Sequence, residues 1–248
     1  MPPVIMFDLD QTLAESKQAL TPQMAELVAK LLLRTKVAVI SGGALPQFLK
    51  QVVDTLPPNA KLASLYLLPT SGAALYEWRG GSWSQVYEER LTPEEVAEIK
   101  AAILAVSKET GVIDFSKPAY GERIEDRGSE VTLSALGQLA PLDKKQAWDP
   151  DKTKRQALQK ELSLRLPTYS VGMGGSTSID ITKKGVDKAF GIRRLAEHLA
   201  LSVAEMLYVG DELEPGGNDA PARTTPIKTH AVKDPNETAF FIASLIAI

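Results

Sequence analysis

Val4-Ile5-Met6-Phe7-Asp8-Leu9-Asp10-Gln11-Thr12-Leu13 runs four apolar residues straight into an aspartate, a second aspartate two positions on, and a threonine. A short, uniformly apolar run that ends abruptly in polar groups reads as a strand of a parallel sheet buried on both faces. Ligands of such sheets collect just beyond the carboxyl ends of the strands. Asp8 and Asp10 then project into a crevice where two like charges are costly unless a cation lies between them. Magnesium suits that place, a hard ion that takes carboxylate and carbonyl oxygens and keeps part of its water. Read alone, the run also suits an Asx-rich turn that merely closes a strand.

Working outward, Thr21-Pro22 supplies an N-cap and a proline at the first helical position, and Met24, Leu27, Val28, Leu31 and Leu32 recur at helical spacing. Lys36 to Ile40 reads as a second buried strand breaking into Ser41-Gly42-Gly43, Leu45 to Leu56 as a helix, and Leu65 to Leu68 as a third strand. The order strand, helix, strand, helix, strand predicts a Rossmann-like, doubly wound parallel α/β sheet.

The character changes near residue 73. Ala74–Trp78 and Trp83–Tyr87 flank Arg79-Gly80-Gly81-Ser82, a hairpin signature. Thr92-Pro93-Glu94-Glu95 is a capping box opening a helix to about Thr110. A second hairpin is expected over 122–135, turning at Arg127-Gly128-Ser129, then a helix over Asp149–Leu166 and strands at Tyr169–Met173 and Ser178–Thr182. This middle predicts an inserted α+β domain of roughly 100 residues with one open sheet. From Lys183 the opening style returns: a helix from Val186 to Leu199, a capping box at Ser202 and Glu205, a fourth buried strand ending in Asp211, and a closing helix from Ala239. The expected division is therefore 1–82 with 183–248 as the core and 83–182 as the insert.

Composition narrows the function classes. A net charge of −3 with no Lys/Arg stripe gives no case for nucleic acid. No apolar stretch reaches the roughly 18 residues that span a bilayer, and Asp8 cuts short any signal-peptide core, so a cytoplasmic protein is expected. The chain has no cysteine and only His198 and His230, so thiol and imidazole chemistry are poorly provided for.

Each core strand instead ends in groups suited to phosphoryl transfer: Asp8, Asp10 and Thr12, then Ser41 and Gly42, then Asp211 with Glu214-Pro215-Gly216-Gly217-Asn218-Asp219, and Lys188 on the helix between. Charge suggests the division of labour. Asp8 attacks phosphorus, and Asp10 protonates the leaving oxygen and later deprotonates the incoming hydroxyl or water. Magnesium on Asp8, the Asp10 carbonyl and Asp211, with Asn218 and Asp219 nearby, offsets the meeting of two anions. Ser41, Gly42, Thr12 and Lys188 make the phosphate-binding group, Thr12 mainly by ordering the loop and the Asp10 side chain.

These motifs, in order and with a large insert between the second and third, resemble the haloacid dehalogenase superfamily, and the insert resembles the C2b cap of its subfamily IIB. Over nearly the whole chain the sequence is similar to the eukaryotic-type phosphomannomutases. Phe7-Asp8-Leu9-Asp10 with Thr12 matches their first motif, except that Gln11 stands where they carry glycine. Pro215-Gly216-Gly217-Asn218-Asp219 matches their PGGND ending. Ile124-Glu125-Asp126-Arg127-Gly128 is similar to their cap segment IEFRNG, whose arginine grips the distal phosphate. Gly174-Gly175-Ser176-Thr177-Ser178-Ile179-Asp180 is similar to their GGxxSxD, which implies sugar contacts for Ser178 and Asp180. The resemblance also implies a phosphosugar substrate and pairing of two chains through the cap.

Departures point away from a mutase. Tyr120 and Gln138 stand where the mutases have further cap arginines, and Lys17 follows the first motif. A mutase binds one phosphosugar in two orientations, and each lost arginine removes charge-assisted bonds worth about 1.5–3 kcal/mol. Arg123 and Lys117 are the available substitutes, although lysine lacks the guanidinium fork. The expectation is a magnesium-dependent sugar-phosphate phosphatase, with a phosphomannomutase as the alternative and a non-catalytic phosphosugar-binding protein as a remote third.

Overall fold

The structure is a computed structural model and describes residues 1–247. In chain order the elements are β1 (Val4–Asp8), α1 (Pro22–Leu32), β2 (Lys36–Ile40), α2 (Leu45–Gln51), β3 (Leu65–Leu68), β4 (Ala74–Arg79) and β5 (Ser82–Glu88). There follow α3 (Pro93–Thr110), β6 (Ile124–Asp126), β7 (Glu130–Ser134), α4 (Leu142–Trp148), α5 (Thr153–Arg165), β8 (Tyr169–Met173) and β9 (Ser178–Lys183). The chain ends with α6 (Lys188–His198), β10 (Leu207–Gly210), β11 (Lys228–Ala231) and α7 (Pro235–Ile246). It divides into two compact units, one of residues 1–88 and 186 onward, the other of 89–185.

The first unit is built on a sheet of order β11-β10-β1-β2-β3-β4-β5, parallel from β11 to β3 and closed by an antiparallel hairpin. Strand side chains alternate between faces. Ile5, Phe7, Val37, Val39, Leu65 and Leu67 join one core with residues of α1 and α7, whereas Val4, Met6, Ala38, Ile40, Tyr66 and Leu68 join another with α6. Both faces are therefore buried, as uniformly apolar strands require. A fully buried side chain of this size contributes about 1.5–3 kcal/mol.

Two local devices fix α6, the helix that carries Lys188. Asp187 caps it, accepting the Phe190 N–H at 2.9 Å. Gly191 lets it lie close: a Cβ there would fall 2.8 Å from Ile40 Cδ1 and 2.9 Å from the Gly72 Cα.

The second unit is a four-stranded antiparallel sheet of order β6-β7-β9-β8. Val131, Leu133, Ile179 and Ile181 pack on one side with α3 and α5 residues such as Ile99, Ile103, Leu158 and Leu162. The predicted capping box opens α3, and Gly111 ends it in the left-handed region at φ 65°. This is the α/β core with an inserted α+β unit expected above.

Several boundaries differ. A cut at 82/83 falls at the start of β5, yet β5 pairs with β4 from Arg79↔Ser82 to Ala74↔Glu88, so that strand belongs to the first sheet. The helix expected to Leu56 stops at Gln51, whose carbonyl accepts the Leu20 N–H at 2.9 Å instead of prolonging the helix. The helix expected from Asp149 starts at Thr153, because Asp149 turns its carboxylate onto the Lys154 and Arg155 N–H groups. Short α4 and edge strand β11, neither with a clear apolar rhythm, were not anticipated. Among the described residues no helix is long and apolar enough to cross a membrane.

Candidate active site

The carboxyl ends of β1, β2 and β10 lie together because these strands are adjacent and parallel. Asp8, the last residue of β1, is 2% exposed. Its Oδ1 accepts from Lys188 Nζ at 2.5 Å, and that ammonium also donates to Asn218 Oδ1 at 2.7 Å and Asp219 Oδ1 at 2.6 Å. All three lysine donors are thus used. Burial works against the Lys188 charge, but Asp8 and Asp219 outweigh it and hold the ammonium above the ordinary lysine range. Burial raises the Asp8 carboxyl, Lys188 pulls it back, and Asp219 and Asp211 add to the rise.

The other Asp8 oxygen, Oδ2, is buried and has no hydrogen-bond partner. A buried carboxylate oxygen left unmatched is costly, and ordinarily a donor or cation satisfies it. Asp8, Asp211 and Asp219 each bring a carboxylate oxygen within 4.8 Å of the others. Three acids against one lysine, with an orphaned oxygen among them, fit a divalent cation with hard oxygen ligands.

Asp219 is fully buried, but its oxygens are already engaged: Oδ1 by Lys188 and by the Tyr208 hydroxyl at 2.5 Å, Oδ2 by the Glu212 N–H at 3.0 Å. Asn218 likewise spends its carbonyl oxygen on Lys188. Both expected metal-proximal residues thus also hold the lysine, and Asp219 keeps its place in the carboxylate group with Asp8 and Asp211. Asp211 is half-buried, and Thr12 Oγ1 donates to its Oδ1 at 3.0 Å. Burial raises the Asp211 carboxyl, and the Thr12 hydroxyl opposes the rise. Thr12 therefore orders Asp211, not Asp10 as expected.

Asp10 sits just outside. Its Oδ1 accepts the Lys17 N–H at 2.7 Å, and its Oδ2 lies 3.5 Å from Ser41 Oγ. Ser41 also faces the Gly43 N–H at 3.4 Å, and Gly42 lies in the same turn. Gln11 adopts φ 60°, the left-handed region that favours glycine. Its backbone N–H donates to the Ala14 carbonyl at 2.7 Å within the loop that brings the Lys17 N–H to Asp10. Tyr208 was missed at sequence level; its only signal is a hydroxyl-bearing aromatic in an otherwise buried apolar strand.

The residues of the second unit form separate groups. Arg127 donates to Glu130 Oε1 at 3.1 Å and Glu125 Oε2 at 3.0 Å. Burial works against its charge, but Glu130, Glu125 and Asp180 outweigh it and raise the guanidinium above its ordinary range. Thr132 Oγ1 donates to both Glu130 Oε1 and Asp180 Oδ1, at 2.8 and 2.9 Å. Burial first, then Asp180, pushes the Glu130 carboxyl up to about 8, against the pull of Arg127. Gly174 passes over Ser178 and Asp180, leaving no room for a Cβ beside the Asp180 carboxylate. Arg123 is spent on the Ala135, Lys117 and Pro118 carbonyls at 3.0, 3.1 and 3.3 Å.

A family model described as haloacid dehalogenase-like hydrolase matches residues 5–220. The chain belongs to this family. Among curated proteins it is 24% identical to a Caenorhabditis elegans protein named "Probable phosphomannomutase", over 98% of this chain and 95% of that protein. It is likewise 24% identical to the Saccharomyces cerevisiae phosphomannomutase, over 98% and 93%, and 23% identical to human phosphomannomutase 1, over 94% and 88%. Among solved structures, Plasmodium falciparum IMP-nucleotidase superposes with a TM-score of 0.70 at 16% identity, over 100% of this chain and 68% of that one. A haloacid dehalogenase-like hydrolase from Bacteroides thetaiotaomicron superposes with a TM-score of 0.67 at 15% identity, over 99% and 100%. These likenesses show the haloacid dehalogenase fold.

Proposed function

We propose that the chain transfers phosphoryl groups on a phosphosugar through a covalent Asp8 intermediate, with Mg2+ as cofactor, in the manner of a phosphomannomutase. The observation that carries the chemistry is the buried Asp8, with one oxygen held by Lys188 and the other unpartnered beside Asp211. Asp8, Asp211 and the Asp10 backbone carbonyl would hold Mg2+, which when bound offsets the negative charge that an anionic nucleophile and a phosphate bring together.

An Asp8 oxygen attacks phosphorus, the phosphorus–oxygen bond to the sugar breaks, and Asp10 gives its proton to the departing oxygen. Asp10 then takes the proton of a second hydroxyl, which attacks the aspartyl-phosphate and frees Asp8. Ser41, Gly42 and Lys188 hold the phosphoryl oxygens, and Thr12 acts through Asp211. Lys188 must exchange one of its three present partners for the incoming phosphoryl group. Asn218 and Asp219 contribute by aiming that lysine.

What supports the mutase form is that the relatives bearing that name match almost end to end, at 94–98% of this chain. The hydrolase expected from sequence becomes the second reading. A specific observation keeps it: Arg127, the counterpart of the phosphate-gripping cap arginine, is already engaged by Glu125 and Glu130 at 3.0 and 3.1 Å. A sugar with one phosphate and an uncharged far end suits such a cap better than a bisphosphate, and water is then the second acceptor.

Phosphorus NMR on mannose 1-phosphate with Mg2+ separates the two. Appearance of mannose 6-phosphate, stimulated by a hexose 1,6-bisphosphate and with little free phosphate, is the expected outcome. Free phosphate without isomer exchange selects the hydrolase, and no change in any hexose phosphate tested sinks both.

A further inference from the structure

Tyr208 has no part in the chemistry above, yet its hydroxyl ends inside the catalytic cluster. It lies on the α6 side of the first sheet, 0% exposed, among Met6, Ile192 and Leu195. Its hydroxyl donates to Asp219 Oδ1 at 2.5 Å, the same oxygen that accepts Lys188 at 2.6 Å. The backbone makes room for this meeting. A Cβ at Gly210 would fall 2.4 Å from Asp219 Oδ2 and 2.9 Å from Tyr208 Cε1. A phenylalanine would fill the same apolar space, so packing alone does not call for the hydroxyl.

We propose that Tyr208 is a positioning residue for phosphoryl transfer: its hydroxyl pins the Asp219 carboxylate, and Asp219 in turn keeps the Lys188 ammonium aimed at Asp8. Asp219 is held at three points: by Tyr208 and Lys188 on one oxygen and by the Glu212 N–H on the other. Removing the phenol hydroxyl leaves Lys188 as the sole donor to Oδ1. When the ammonium shifts toward an arriving phosphoryl group, nothing else then fixes that oxygen, and the carboxylate turns with the lysine. Burial, then Asp219, keeps the phenol well above its ordinary pKa, so it remains a donor.

The inference rests on the phosphoryl-transfer reading, and its test uses a probe that needs no turnover. Tyr208→Phe and wild type are titrated with inorganic phosphate in saturating Mg2+ by calorimetry, and kcat and KM are compared well below the melting temperature. Loss of one buried charge-assisted bond predicts phosphate binding and kcat each weaker by about tenfold. Introducing Tyr208→Phe into an Asp219→Asn background should then change little further, since both act through one carboxylate. A lowered melting temperature with phosphate affinity and kcat within about twofold of wild type overturns the assignment, as do fully additive effects. If Asp219→Asn does not fold, the phosphate titration of the single variant decides. Tyr208-dependent phosphate binding in a protein that turns over no phosphosugar upholds the assignment and sinks the substrate reading. A wild type that binds no phosphate overturns both.

Discussion

The two units spend their buried charges in opposite ways. In the first, Asp8, Asp211 and Asp219 bring carboxylate oxygens within 4.8 Å of one another, one lysine answers Asp8 and Asp219, and an Asp8 oxygen is left without a partner. In the second, the arginines are answered locally: Arg127 by Glu125 and Glu130, Arg155 by Asp149 at 2.8 Å, and Arg123 by three backbone carbonyls. The first pattern leaves an electrostatic deficit of the kind a divalent cation offsets. The second leaves its arginines bonded to acids and carbonyls of their own unit.

The largest effect that would break this contrast is at the nucleophile. Asp8→Asn keeps the shape but removes the attacking charge, and phosphoryl transfer should fall by at least about 10⁴-fold. Activity within tenfold of wild type would remove the basis for the mechanism. Next, Lys188→Met leaves Asp8 and Asp219 buried without their cation, at a cost of about 3–5 kcal/mol in urea unfolding near neutral pH. Excess Mg2+ should return part of that loss, because the ion supplies the missing positive charge. An unchanged urea midpoint would show that the acids are not in deficit.

In the second unit the test is one of pH. The folded-state pKa of Glu130 lies near 8, above its ordinary 4.5, so the folded protein holds a proton that the unfolded chain releases. That contribution is fully present below the unfolded pKa and is lost as pH rises through about 8. Wild-type unfolding midpoints should therefore decline from about pH 5 to about pH 9, and Glu130→Gln should flatten that decline. An equal slope in both proteins would show that Arg127 already keeps Glu130 ionised. The smallest effect belongs to the loop beside Asp10. Gln11→Gly relieves a left-handed φ and should stabilise by up to about 1 kcal/mol, read as a small rise in melting temperature.

Much of the candidate site was legible in the sequence for a simple reason. A parallel strand ends where its apolar run ends, so Asp8, Ser41 and Asp211 were bound to share one edge once three such runs were recognised. Lys188 was expected near the start of a helix from Val186; the structure starts that helix at Lys188 itself, with Asp187 as its cap. The identity of each side chain's partner was not legible. Thr12 chose Asp211 across 199 positions instead of its neighbour Asp10. Gln11, unexplained as a substitution for glycine, proved to be a backbone matter: a positive φ that turns the loop toward Lys17.

By itself the sequence determined the α/β core, the inserted α+β unit, the acids at the strand ends and the capped helices, because these follow from local periodicity and local chemistry. Only the tertiary structure decided that Asp219 and Asn218 hold Lys188, that Tyr208 reaches the cluster and that Thr12 meets Asp211. Those outcomes depend on groups brought within 3 Å of one another from distant parts of the chain, Lys188 and Asp8 being 180 positions apart. No local rhythm encodes such a meeting; strand register and helix packing do.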